Sequence, residues 1–131
     1  MIADLRPYAE YKESGLPWVG PVPGHWDVHQ ARHIGRVLKG VGGTKEDAVP
    51  AGVPCVRYGE LYTTFTYFIR ASKTFISAER ASDYTPIRYG DVLFAASGET
   101  IEDIGKSAVN LMRTTAWCGG DVIVLRPSIR V

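Results

Sequence analysis

Residues 87–109 read IRYGDVLFAASGETIEDIGKSAV, and the fold class turns on them. A turn at Tyr89-Gly90-Asp91 leads into an apolar run of strand length, residues 92–96. Ser97-Gly98 makes a small-residue corner, residues 99–104 form a polar excursion, and Gly105-Lys106-Ser107 makes a second corner before apolar residues resume. Short apolar strands joined through Gly and Ser corners describe a rigid frame that presents polar loops, where binding residues concentrate. The stretch holds neither a nucleophile with its base nor a metal-ligand cluster, so it reads as a recognition surface.

The same pattern continues outward. Residues 1–24 carry Pro7, Gly15, Pro17, Gly20, Pro21, Pro23 and Gly24, which forbid a long helix or strand and predict turns and extended chain. Trp18 and Val19 are the expected anchors of this arm. Trp26 and Val28 alternate with polar residues, predicting a short strand. Ile34, Val37 and Leu38 have helical spacing, weakened by Gly35, and predict a helical turn over 31–38. Residues 40–45, GVGGTK, read as the most flexible loop. Strands are expected over 53–57, 62–69 (YTTFTYFI, aromatic and β-branched), 74–76, 92–96, 108–112, 116–118 and 122–125. Ser77 is the expected N-cap of a short helix over 78–82, and Pro86 cannot continue it. Many short strands with brief helical turns, and no long crossover helices, argue against a doubly wound sheet.

Bulk properties set further bounds. The chain has 131 residues, 45% hydrophobic and 22% charged, as in an ordinary globular domain. The formal charge is +1, from 15 basic and 14 acidic residues. Each part of the sequence is balanced, with six of each sign in residues 1–50, so no basic tail is present. No apolar run is long enough to span a membrane and the N-terminus is polar, so the cytoplasm is the expected compartment. Cys55 and Cys118 lie far apart among apolar residues and are expected as reduced core thiols.

The motifs that suggest catalysis fail on spacing. His25, His29 and His33 would share a helix face, but Gly24 and Gly35 flank a strand-like segment. Gly105-Lys106-Ser107 copies the end of a phosphate loop, yet Thr100 stands where the first glycine belongs, and Glu99, Glu102 and Asp103 would repel a triphosphate. The glycines at 40, 42 and 43 lack the remaining dinucleotide fingerprint. No G-x-S-x-G elbow surrounds any serine. Polar side chains instead recur in loops. They are Lys39, Thr44 and Lys45; Arg57, Tyr58 and Tyr62; Arg70, Ser72 and Lys73; Ser97, Thr100, Lys106 and Ser107; and Arg113 and Thr114. Such side chains can reach phosphates or base edges.

An ordered series of short motifs carries a resemblance. It begins with Gly15-x-Pro17-Trp18-Val19-Gly20 and Pro23-Gly24-His25-Trp26, then the loop at 40–45. Gly52-Val53-Pro54-Cys55-Val56-Arg57 with Gly59-Glu60-Leu61 follows. The strongest piece is Ile87-x-x-Gly90-Asp91-Val92-Leu93-Phe94 with Ser97-Gly98-x-Thr100-Ile101 and Ile104-Gly105. In this series the chain resembles a target recognition domain of the specificity subunit of a type I restriction-modification system. The resemblance and the strand pattern together predict an α+β fold: a twisted, partly curled, mainly antiparallel, half-barrel-like sheet with short helices. They divide the chain into an N-terminal arm, 1–24, and a recognition domain, 25–131, expected to be incomplete at its C-terminal side as a fragment or a truncation. The implied function is non-catalytic, sequence-specific recognition of double-stranded DNA, one half of a split site, without a cofactor of its own. The implied partners are methyltransferase (M) subunits, which flip the target adenine, and a restriction/translocase (R) subunit. The DNA-facing residues would be Lys39, Thr44, Lys45, Arg57, Tyr58, Tyr62, Arg70, Lys73, Ser97, Thr100 and Lys106. The alternative is a module that engages those subunits without reading DNA.

Overall fold

The computed structural model describes residues 5–128. They form two compact units, divided between Gln30 and Ala31.

In the first unit, β1 (Tyr11–Glu13) pairs antiparallel with β2 (Pro21–Pro23). The intervening loop is closed by its own backbone, Gly20 N–H donating to Leu16 O at 3.0 Å and Ser14 N–H to Gly20 O at 3.3 Å. Gly15 and Gly20 supply the positive φ this needs. Trp18 and Val19, the expected anchors, are exposed, Trp18 at 81%. The strand expected over 26–28 is absent, since no neighbouring strand pairs with it. The Trp26 ring instead packs edge-on against Tyr8, which also meets His25.

The second unit is α+β, with single-turn helices and antiparallel-rich strands. A four-stranded sheet has the order β6-β4-β10-β7 and a five-stranded sheet the order β3-β11-β8-β9-β5. The first comprises β4 (Ala48–Val56), β6 (Thr74–Ile76), β7 (Thr85–Ile87) and β10 (Ala116–Cys118). The second comprises β3 (Gly35–Lys39), β5 (Tyr67–Ile69), β8 (Val92–Ala95), β9 (Ser107–Asn110) and β11 (Val122–Pro127). The β4–β10 and β5–β9 pairs are parallel; the other described pairs are antiparallel. Neither sheet closes into a barrel among the described residues.

The alternation of side chains explains where the core sits. Val56, Ile87, Ala116 and Cys118 from one sheet meet Ile69, Leu93, Ala95, Ala108, Val122 and Val124 from the other in one buried cluster. The opposite face of the four-stranded sheet buries Cys55 and Ile76 against Ala81 and Tyr84. Both thiols are therefore fully buried and free. Burial pushes Cys55 up to about 11 and Cys118 up to about 12, so both stay protonated.

Three local expectations change. The helical turn α1 covers only Ala31–Ile34. Val37 and Leu38 join β3 instead, because Gly35 approaches β11 so closely that a Cβ there would lie 2.4 Å from Arg126 O. Residues 62–65 are not strand, because α2 (Glu60–Thr63) and the turn that follows it take their place, and Thr66 makes only an isolated bridge to Phe68. The Glu60 carboxylate accepts Arg57 N–H at 2.8 Å and Thr74 Oγ1–H at 2.7 Å, and Leu61 is buried. Tertiary contacts override the strand propensity of Tyr62, Thr63, Thr64 and Phe65. Finally, the expected helix at 78–82 is a 3-10 turn, Arg80–Asp83, and Ser77 contributes only its carbonyl, accepting Arg80 N–H.

The turn in residues 88–91 is fixed by buried polar groups. Asp91, 1% exposed, accepts Arg126 Nε–H and Nη2–H at 2.9 and 2.8 Å and Arg88 N–H at 2.7 Å. Fully buried Asn110 donates from Nδ2 to Arg88 O and accepts Met112 N–H. Gly90, at φ +89, lets the chain reverse between them.

Candidate functional site

Strand direction decides which loops become neighbours. In the five-stranded sheet, β3 ends at Lys39 opposite Ile123, β8 ends at Ala95 opposite Val122, and β9 and β5 begin nearby at Ser107 and Tyr67. The loops 40–44, 62–66, 96–106 and 119–121 therefore leave one end of this sheet. In the four-stranded sheet, β4 and β10 run parallel and end side by side, bringing Arg57 and Tyr58 close to Gly119-Gly120.

The hollows at this end are lined by several of the nominated residues. A cleft of about 390 Å³ is lined by Leu61, Tyr62, Phe65, Thr66, Tyr67, Gly105, Lys106 and Ser107. A smaller hollow of about 90 Å³ is lined by Gly42, Gly43, Arg57, Tyr58, Gly119, Gly120 and Asp121. Tyr58 and Tyr62, ring centroids 6.3 Å apart, link the two. The Tyr62 hydroxyl is pushed above its ordinary value, first by desolvation and then by Tyr58, Glu99 and Asp103. It therefore stays a neutral donor and acceptor.

Much of the loop chemistry is spent on holding the loops. The loop at 40–45 is pinned by named contacts. Val41 N–H donates to Thr85 Oγ1, Gly120 N–H to Gly42 O, and Arg57 Nη2–H to Thr44 O. Gly42 and Gly43 have positive φ, and a Cβ on Gly43 would fall 1.8 Å from the Tyr84 hydroxyl oxygen. These glycines permit close approach to Asp83 and Tyr84. Beyond Thr44, the Lys45–Asp47 turn places Asp47 where it accepts Tyr84 Oη–H at 2.6 Å, Arg80 Nη2–H at 2.8 Å and Thr44 N–H at 3.2 Å. The Tyr84 hydrogen bond, then Arg80, then Thr44 hold its carboxyl at about 2, and Tyr84 is pushed up to about 12 by burial and by Asp47.

The acidic excursion also has an internal task. Asp103 accepts Thr100 N–H at 3.1 Å and pairs with Lys106 Nζ at 3.6 Å. Desolvation raises its pKa, but the Thr100 hydrogen bonds and Lys106 outweigh that and leave it lowered. Strand β9, not a helix, follows Gly105-Lys106-Ser107, so the phosphate-loop likeness has no helix N-terminus behind it.

Of the nominated residues, Lys39, Thr44, Arg57, Tyr58, Ser97, Thr100 and Lys106 belong to loops or strand termini at this end, Lys45 opens the 3-10 turn Lys45–Asp47, and Tyr62 is carried by α2. Lys73 is exposed just before β6, beside the end of β4. Arg70 departs from the opposite end of the five-stranded sheet, with its guanidinium 5.2 Å from the Phe68 ring centre. Arg36, Arg88 and Arg113 share that opposite end; Arg113 stands out in the sequence only as one of the polar loop residues, and Arg36 and Arg88 do not stand out at all. Strand direction is the signal that groups them, since they come from distant segments. The nominated end offers hydroxyls, ammonium groups and carbonyls, a set suited to hydrogen-bonding recognition. Among the described residues, no three His, Cys, Asp or Glu side chains cluster so as to hold a metal. No described helix is long and apolar enough to cross a membrane.

No model of a protein family matches the chain, and no curated protein matches it. Among solved structures, it is similar to a chain from work described as "Structural basis underlying complex assembly and conformational transition of the type I R-M system". The TM-score is 0.54 at 20% identity, over 86% of this chain. That likeness is one of fold. This chain spans 27% of the length of that one.

Proposed function

We propose that this chain is a DNA-recognition module of a type I restriction-modification specificity subunit, reading one half of a split site without catalysing a reaction. The observation that carries it is the fold match, over 86% of the chain, to a chain from a study of that system. The motif series, drawn from residues alone, points to the same system. Base reading is assigned to the nominated side chains around the two tyrosines, chiefly Arg57, Tyr58, Tyr62 and Lys106, with Lys39, Thr44, Lys45, Lys73, Ser97 and Thr100 around them. Double-stranded DNA, methyltransferase subunits and a restriction/translocase subunit are the partners in this proposal, and the cytoplasm is its compartment. Residues 1–24 act as an arm and 25–131 as the recognition domain.

The test exchanges residues 42–45, 57–62, 70–73 and 97–106 for those of a relative with a different target, inside the assembled methyltransferase. The methylated site should change. An unchanged site with full activity would falsify DNA reading by these loops. One feature favours the second role, a partner-binding module. The outer face of the five-stranded sheet carries Val37, Leu125, Val92, Val109 and Phe68 in one cross-strand row. Val37 and Phe68 there are about half exposed. Subunit assembly with no sequence-dependent DNA binding is the result that selects that role.

A further inference from the structure

The near-zero net charge conceals a polarity. The segments that reach the end of the five-stranded sheet marked by the 88–91 turn are 31–37, 68–72, 86–92, 109–116 and 124–128. They contain six arginines and one carboxylate, Asp91. Asp91 is 1% exposed and taken up by Arg126 and the Arg88 amide, so it does not offset the others. Arg32, Arg36, Arg70, Arg88 and Arg113 are exposed and form no ion pair among the described residues. The segments at the other end, 38–47, 57–67, 94–107 and 117–123, hold seven carboxylates against four cations, and Lys73 beside the end of β4 makes a fifth cation there. Antiparallel strands sort the charges by end, and no linear window of the sequence reveals it.

We propose that this arginine end is the surface that grips the phosphates of double-stranded nucleic acid. The proposal rests on the DNA-recognition reading and assigns its backbone contact to the end opposite the tyrosine cleft. Three observations favour this ligand. The cations are all arginines, whose planar forks suit phosphate oxygens. Two of them lie over aromatic rings, Arg113 at 4.7 Å from the Tyr89 ring centre and Arg70 at 5.2 Å from that of Phe68, which orients the guanidinium groups while leaving their edges free. The strip runs across five strands, from Arg36 on β3 to Arg70 after β5. At ~4.8 Å per strand spacing that is ~19 Å, a length over which a duplex carries on the order of ten phosphates. The Asp91–Arg126–Asn110 lock holds the Arg88-Tyr89 turn rigid beneath them. Phosphate contacts position a protein and base contacts specify sequence, so the two ends divide the work.

The test compares two variants with equal loss of charge, R36Q/R88Q/R113Q and K39Q/K45Q/K106Q, each first shown to keep the wild-type melting temperature within a few degrees. Affinity for a duplex of random sequence is measured by fluorescence anisotropy at several salt concentrations, with anionic phospholipid vesicles as a second ligand. Each lost phosphate contact lowers the slope of log affinity against log salt by ~0.9. The arginine triple should therefore lose up to ~2.7 in slope, with affinity at about 0.1 M salt falling between roughly tenfold and a few hundredfold. The lysine triple should lose less than about one. A larger slope loss in the lysine triple overturns the proposal and leaves DNA recognition standing. Binding to vesicles but not to duplexes overturns it in favour of a lipid surface. Absence of duplex binding by the wild-type chain, alone and with methyltransferase subunits, overturns both.

Discussion

Replacing Arg126 with methionine should destabilise this chain more than any change on its surface. In the native structure the Asp91 carboxylate is 1% exposed and accepts two hydrogen bonds from Arg126 and one from the Arg88 amide. Arg126→Met keeps the apolar stem but leaves a buried charge with a single N–H donor. Breaking one partner of such a pair costs about 3–5 kcal/mol, a large part of the ~5–15 kcal/mol that a domain possesses. The reverse change is milder. Asp91→Asn keeps an acceptor for the Arg88 amide, and the Arg126 side chain, 21% exposed, can take water instead. That substitution should cost about 1.5–3 kcal/mol. The double variant should cost less than the sum, with a coupling of about 0.5–3 kcal/mol. Urea unfolding measures all three, with the midpoint shifting and the slope constant. If Arg126→Met costs under ~1 kcal/mol, or Asp91→Asn costs more than Arg126→Met, the pair does not hold the 88–91 turn and this account of it is wrong.

Gly43→Ala forces a side chain into positive φ against Tyr84; it should cost at least about 1–2 kcal/mol and lower the melting temperature by several degrees. Asp47 is held at about 2, below its ordinary 3.8, so its contribution is complete above ~4 and disappears as pH falls from there towards 2. Tyr84, pushed up to about 12, acts in the opposite sense, and its contribution is lost as pH rises from 10 towards 12. The stability gap between wild type and Tyr84→Phe should thus be full at neutral pH and narrow at both extremes; a gap constant from pH 7 down to 2 would show that Asp47 is not the partner. Cys55 and Cys118 should react with a thiol reagent only at the rate of unfolding, and a fast-reacting thiol in the native chain contradicts their burial.

The frame was legible because its strands carry their own pattern. Residues 74–76, 92–95, 116–118 and the start of the last strand at Val122 fall where alternation and turn residues put them. The misreadings have a common cause, since each depends on a distant partner. Tyr62 to Phe65 have the composition of a strand, but Glu60 binds the Arg57 amide and the Thr74 hydroxyl and winds them into a turn. Val37 and Leu38 have helical spacing, but β11 recruits them. Glycines 42 and 43 stand out in the sequence, but that they approach Asp83 and Tyr84 is set by the fold. The nominated polar residues were visible as types, and most lie at one end of the five-stranded sheet. The arginine end was invisible to any window of sequence, because Arg36, Arg70, Arg88 and Arg113 belong to four segments joined only by strand pairing.

Whether the chain reads DNA sequence is answered by selection from a pool of random duplexes. The chain is immobilised with type I methyltransferase subunits, bound duplexes are recovered over several rounds, and the enriched pool is sequenced. A sequence-reading chain enriches one short motif on one side of a spacer, and that motif is lost when Arg57, Tyr58, Tyr62 and Lys106 are replaced together in a variant that still assembles. A complex that assembles, binds duplexes and enriches no motif would contradict sequence reading.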